Sequence, residues 1–189
     1  MNREEDIKNA IEVMRKGGVI LYPTDTVWGI GCDATNAGAV AKVYAIKKRD
    51  DSKAMICLVD SDVRLQRYVR NAPEVAWQVL EYATKPTTVI FDNAVNLAPN
   101  LIAVDGSVAV RITQEPFSKE LCYRFQKPIV STSANISGRP AAANYCDIDE
   151  ELLNAVDYVC YSRRREKQPH TPSSIIRIRE DGQVEIIRK

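Results

Sequence analysis

Short apolar runs closed by turn residues alternate along this chain with segments whose apolar residues recur at helical spacing, and that alternation limits what it can fold into. Val19-Ile20-Leu21-Tyr22 is closed by Pro23, and Ala54 to Val59, Thr87 to Phe91, Val108 to Ile112 and Ile129 to Thr132 read as further strands. Between them, Glu4 and Glu5 sit where a helix N-terminus favours negative charge, and Ile7, Ile11 and Met14 follow at helical spacing until Gly17-Gly18 stop the pattern. A second helix is expected from about Asn36, with Val40, Val43, Tyr44 and Ile46 inward and Lys47 and Arg49 at its C-terminal end. Ser61 and Pro73 mark two more helix starts, Pro116 to Phe125 reads as a helix, and Asp147 or Asp149 caps another through Val156. Ile175 to Ile178 and Val184 to Arg188 make a hairpin across Asp181-Gly182. The sum is α/β. Mixed strand lengths and the closing hairpin argue for a twisted mixed sheet rather than a regular doubly wound array.

Composition narrows the function classes. With 45% hydrophobic residues in 189, the chain can bury a large core without disulfides, and one domain over residues 1–189 is expected. The 26 Lys and Arg against 25 Asp and Glu leave a net charge of +1, so no polyanion-binding surface is advertised and any nucleotide site must be local. Five cysteines with no C-x-x-C spacing fit a reduced compartment, and the single histidine, His170, excludes a histidine-rich metal centre. The N-terminus has neither the basic start nor the apolar stretch of a signal peptide, and no run of about 18 apolar residues exists. A cytoplasmic protein with no membrane association is expected.

The familiar nucleotide motifs are missing: there is no G-x-x-x-x-G-K-[ST] loop, and Gly29-Ile30-Gly31 lacks the third glycine of a dinucleotide fingerprint. The polar candidates are Thr24-Asp25-Thr26, Lys47-Lys48-Arg49 with Lys53, Ser131-Thr132-Ser133-Ala134-Asn135 with Ser137-Gly138, and Ser173-Ser174. Each lies at or near a predicted strand or helix end, where ligands tend to sit in α/β sheets. Each alone has an ordinary reading: a turn satisfying its own backbone, basic residues answering a helix dipole, or a capping loop. Arg163-Arg164-Arg165 with Lys167 is the one dense basic run and reads as a solvated loop. Cys32 and Cys57 sit in apolar stretches and read as packing residues, not nucleophiles.

Taken in order, the segments resemble the YrdC-like family of threonylcarbamoyl-AMP synthases, in its short bacterial form, over nearly the whole chain. The resemblance rests on Tyr22-Pro23-Thr24-Asp25-Thr26-Val27-Trp28-Gly29-Ile30-Gly31, Ile46-Lys47-Lys48-Arg49 and Val108-Ala109-Val110-Arg111-Ile112. Pro128 to Pro140, with its Ser-Thr-Ser-Ala-Asn-Ile-Ser-Gly core, and Pro172-Ser173-Ser174-Ile175-Ile176 follow in the same order. It implies a YrdC-like mixed sheet with flanking helices and a concave cleft, and a catalytic K-x-R plus S-x-N tetrad on Lys47, Arg49, Ser133 and Asn135. It also implies threonine contacts at Thr26, Arg111 and Ser173, and ATP contacts at Arg49, Lys53, Ser107, Ser133, Asn135 and Arg188.

The implied reaction joins threonine, bicarbonate and ATP, and its converging negative charges call for positioned cations and donors. Mg2+ is expected on the triphosphate, carried by substrate oxygens and water with no protein side chain as ligand. Transfer RNA and the proteins that complete its threonylcarbamoyladenosine follow as pathway partners. The alternatives are a double-stranded RNA or tRNA-binding module with a basic concave face, and a paralogue with another carbamoyl acceptor. Departures from the family pattern fall at Ala54, at Lys85-Pro86-Thr87-Thr88, which lacks the usual proline-glycine-proline, at Ala143 and at Ser174. Replacing Lys47 by alanine is expected to abolish adenylate formation with thermal unfolding nearly unchanged.

Overall fold

The computed structural model describes residues 1–48, 55–166 and 171–189. Among the described residues nine strands form one mixed sheet: β1 (Ile20–Tyr22), β2 (Gly29–Gly31), β3 (Ile56–Val59), β4 (Thr87–Phe91), β5 (Val108–Ile112), β6 (Ile129–Ser133), β7 (Tyr158–Val159), β8 (Ser174–Ile178) and β9 (Val184–Arg188). Their spatial order is β7-β1-β2-β6-β3-β5-β4-β8-β9. Pairs β1–β7, β3–β5 and β4–β8 are parallel, and the others are antiparallel. The α-helices among the described residues are α1 (Arg3–Arg15), α2 (Ala37–Lys47), α3 (Asp62–Leu65), α4 (Glu74–Glu81), α5 (Pro116–Phe125) and α6 (Glu150–Ala155). No helix among the described residues is long and apolar enough to cross a membrane.

Helix starts follow local chemistry. The side chains of Asn2, Asn36 and Ser61 each accept a backbone N–H from the first turn of α1, α2 and α3, and Glu115 does the same for α5 ahead of Pro116. The hairpin β8–β9 turns with Gly182 at φ +85°, a conformation that suits glycine.

Strand alternation then decides where the cleft can be. One set of alternate residues, including Leu21, Ile30, Cys57, Val59, Val89, Phe91, Val108, Val110 and Val130, enters a large core shared with α2. The opposite face is covered over only part of its width, where Ile7, Ile11 and Met14 of α1 and Phe117, Leu121 and Phe125 of α5 pack on Ile20, Tyr22, Leu58 and Ile129. Beyond those helices the same face presents Ile56, Ile90, Ala109, Arg111, Ser131, Ser133 and Ile175, which line an open cleft. A half-covered sheet face makes the concavity.

Two strands escape the sequence reading. β2 is two-thirds glycine, and β7 has two residues, so neither carries a period-2 signal. Glycine is required in β2 because a Cβ on Gly31 would lie 2.6 Å from the Tyr22 ring and against the Val130 carbonyl, to which the Tyr22 hydroxyl donates at 3.2 Å.

The basic run also differs from the expected solvated loop. Arg163 donates to the Thr24 carbonyl at 3.0 Å and meets Glu115 at 3.3 Å. Arg164 donates to the carbonyls of Val159 and Cys160 and stacks over Tyr145 and Tyr161. Arg165 is exposed, and Lys167 and His170 lie outside the described residues. The buried carboxylate of Asp6 fastens the same segment, accepting from the Tyr158 hydroxyl and from the backbone N–H groups of Tyr161 and Ser162.

Gly31→Ala is expected to cost about 1–3 kcal/mol by overpacking. Urea unfolding measures it, and an unchanged midpoint would show that Tyr22 yields without cost.

Candidate active site

The cleft encloses about 460 Å³ and gathers residues that are far apart in the chain. Thr26 and Val27 come from the loop after β1, Arg111 from the end of β5, Ser131, Thr132, Ser133 and Asn135 from β6 and the loop beyond it, Ser173 from just before β8, and Arg188 from the end of β9.

The Thr24–Thr26 turn is built from its own hydroxyls. Thr24 Oγ1 accepts the Thr26 N–H at 3.1 Å and donates to the Val27 carbonyl at 2.7 Å, which fixes Thr26 at the cleft wall. Arg111 is 3% exposed; its Nη2 donates to Thr26 Oγ1 at 3.2 Å and stands 2.9 Å from Asp25 Oδ1. That second contact is a buried ion pair, and Arg111 Nε is buried without a hydrogen-bond partner. Burial raises the Asp25 carboxyl above the usual aspartate range, against the opposing pull of Arg111.

Lys47 does not face solvent as a dipole-answering lysine would. It is 2% exposed, lies beneath the Ser133–Asn135 loop, and donates to the carbonyls of Ser133 and Asn135 and, at 3.4 Å, to Asn135 Oδ1. The Asn135 amide nitrogen donates onward to the carbonyls of Ile136 and Arg139, and the Ser137 N–H returns to the Lys47 carbonyl at 2.9 Å. Lysine and loop therefore form one unit.

Ser173 shares a 2.8 Å hydrogen bond with Thr88 Oγ1, and its carbonyl accepts both Arg188 Nε and Nη2. Arg188 thereby couples the edge strand to Ser173. Ser107 is not among the cleft-lining residues; its hydroxyl donates at 2.6 Å to Asp105, whose carboxyl is lowered to about 2 by that bond and by Arg177. Arg49 and Lys53 lie outside the described residues. Cys32 and Cys57 are buried, with burial pushing the Cys57 thiol up to about 12 and the Cys32 thiol higher still, so neither supplies a thiolate.

The sequence places Asp25 and Ser131 in its polar clusters without giving either a role, and misses Arg139, which lines the cleft while paired with Asp149 at 3.1 Å. Ser131 shares strand parity with Ser133.

Residues 12–189 match the Sua5/YciO/YrdC family pattern, whose description reads telomere recombination. The chain belongs to this family. It is 34% identical over 174 residues to a threonylcarbamoyl-AMP synthase of Vibrio cholerae, covering 90% of this chain and 92% of that one. A threonylcarbamoyl-AMP synthase of Pseudomonas paraeruginosa is 37% identical over 151 residues, 79% of this chain and 81% of its own. In three dimensions the fold is similar to that of a doubly substituted Sua5 from P. abyssi, with TM-score 0.87 and 22% identity over 100% of this chain. The chain spans 57% of that archaeal protein's length.

The burial of Lys47 changes what its loss should do. Lys47→Met keeps the apolar stem but leaves two part-buried carbonyls without their donor, at about 1 kcal/mol each. A lower unfolding midpoint together with weaker ATP binding is expected, and calorimetry with thermal unfolding checks both. Unchanged stability would return Lys47 to the role of a charge merely facing the cleft.

Proposed function

We propose that this protein is a threonylcarbamoyl-AMP synthase, which makes the adenylate and pyrophosphate from threonine, bicarbonate and ATP. The observation that carries the reading is Arg111, a buried guanidinium with a free donor, standing with Thr26 in the same cleft as the Ser133–Asn135 loop. Relatives bearing that name and matching most of both chains support it.

In the proposed reaction the amine of threonine is carboxylated to a carbamate. One carbamate oxygen then attacks the α-phosphate of ATP, and pyrophosphate leaves. The carbamate is already an anion, so alignment and charge stabilisation supply most of the acceleration. Arg111 takes the threonine carboxylate in its planar fork, with Thr26 and Ser173 bordering the same subsite. Ser133 and the Lys47-supported loop border the nucleotide, and Arg49, Lys53, Ser107 and Arg188 are assigned to ATP by family resemblance. Arg188 and Asn135 act chiefly through the backbone they hold. Mg2+ travels with ATP on the triphosphate oxygens and water. The product is an activated mixed anhydride, so the next step is transfer of the threonylcarbamoyl group to an adenosine of transfer RNA by partner proteins. We assign the protein, as one domain, to the cytoplasm, where that RNA is.

Pyrophosphate release is expected to require threonine, bicarbonate and ATP together, and Arg111→Lys is expected to raise the KM for threonine about tenfold or more with the KM for ATP little changed. Release that ignores threonine, or an equal rise in both constants, would sink the assignment.

A further inference from the structure

Arg163 is an arginine in a backbone conformation that suits glycine. Its φ of +63° lies in the left-handed region, where a residue with a Cβ is strained and glycine is not. The side chain offsets that strain. It is 19% exposed, and each of its nitrogens has a partner: Glu166 Oε2 lies 2.7 Å from both Nε and Nη2, and Nη1 reaches the Thr24 carbonyl at 3.0 Å and Glu115 Oε1 at 3.3 Å. Glu115 is itself held, because its two carboxylate oxygens accept the Phe117 and Ser118 N–H groups at the start of α5. A strained residue persists where its surroundings over-determine it, and such residues gather at functional sites.

We propose that Arg163 is a positioning residue for the amino-acid subsite, acting through the Thr24 carbonyl to hold the turn that carries Thr26. Arg163 is not among the residues that line the cleft; with Thr24, Thr26 and Trp28 it bounds a second, smaller cavity. The path from it to the cleft is short. Thr24 Oγ1 accepts the Thr26 N–H at 3.1 Å and donates to the Val27 carbonyl at 2.7 Å, and Thr26 Oγ1 accepts from Arg111 at 3.2 Å. A shift of the Thr24 peptide therefore moves Thr26 and, with it, an acceptor of Arg111. The turn lies in the stretch 23–28 between β1 and β2, and the tie from Arg163 reaches it from 139 positions along the chain.

A subsite built from a guanidinium fork and a hydroxyl binds well only while the two keep their relative placement. Arg111 is fixed by its place on β5, whereas Thr26 stands in a loop and takes its place from the turn. Arg163 supplies to that turn a charged donor on a buried residue, Thr24 being 2% exposed. The turn borders the amino acid and not the nucleotide, so loosening it weakens the binding of one substrate and spares the other. That the amino acid is threonine rests on the synthase reading; the pinning of the turn does not.

Arg163→Gly tests this, because glycine suits the backbone there and the change removes the guanidinium. Hydrogen exchange followed by NMR should show the Thr26 amide exchanging about tenfold faster than in wild type. In pyrophosphate release the KM for threonine should rise about tenfold, with kcat and the KM for ATP within about twofold of wild type. An arginine that only stabilised the fold would instead lower kcat with the folded fraction and leave both KM values alone. That result, or Thr26 exchange at the wild-type rate, would overturn the proposal. If Arg163→Gly does not fold, Arg163→Asn carries the same test, since asparagine tolerates this backbone and is too short to reach the Thr24 carbonyl. Failure of both variants to fold would make the residue structural and also overturn the proposal. Wild type that releases pyrophosphate without needing threonine would end the synthase reading, and Thr26 exchange would still decide whether Arg163 holds the turn.

Discussion

The ammonium of Lys47, withdrawn from water beneath the Ser133–Asn135 loop, ties the last residue of α2 to the segment where β6 leaves the sheet. A buried lysine is tolerable only where acceptors replace its hydration, and two carbonyls and the Asn135 side chain do so. The dependence runs both ways. The loop carbonyls converge on the lysine nitrogen, and that nitrogen finds acceptors in the interior because they converge. Asn135 then carries the same constraint to Ile136 and Arg139, so the wall of the cleft is fixed by one chain of hydrogen bonds.

The cleft exists because the sheet is covered unevenly. One face is closed by the large core, while α1 and α5 cover only part of the other, and among the described residues no helix lies above the rest of that face. Where alternation would otherwise place core side chains, it places Ser131, Ser133 and Arg111 beside Ile56, Ala109 and Ile175. A protein of net charge +1 can in this way hold anions at one point without a basic exterior. Its turn of Thr24, Asp25 and Thr26 is anchored from outside by Arg163, which joins the Thr24 carbonyl to Glu115 at the start of α5.

Much of the fold was legible because its signals are local. The apolar runs at Ile20, Ile56, Thr87, Val108 and Ile129 became strands, and Asn36, Ser61 and Pro116 marked helix starts where capping chemistry said they would. What stayed hidden depends on residues far apart in sequence. Gly29 and Gly31 look like loop residues until Tyr22 is seen lying across them, and Asp6 looks like first-turn charge until Tyr158 and Ser162 arrive from the far end of the chain. Arg163 and Arg164 read as solvated for the same reason: their carbonyl partners and rings are brought by the fold. At the site, Thr26, Arg111, Ser133, Asn135, Ser173 and Arg188 stand around one cleft, although nothing in their spacing could say so without the family resemblance. Ser107 stands just before β5 and donates its hydroxyl to Asp105, and the burial of Lys47 could not be read from a helix C-terminus.

The central claim is that this cleft joins threonine, a one-carbon unit and adenylate, and the most direct measurement is the mass of what it makes. Wild-type protein incubated with threonine, ATP, Mg2+ and carbon-13-labelled bicarbonate should yield threonylcarbamoyl-AMP carrying the labelled carbon. Labelled adenylate that lacks the amino acid, or hydrolysis of ATP with no carbamoyl adduct, would contradict the account.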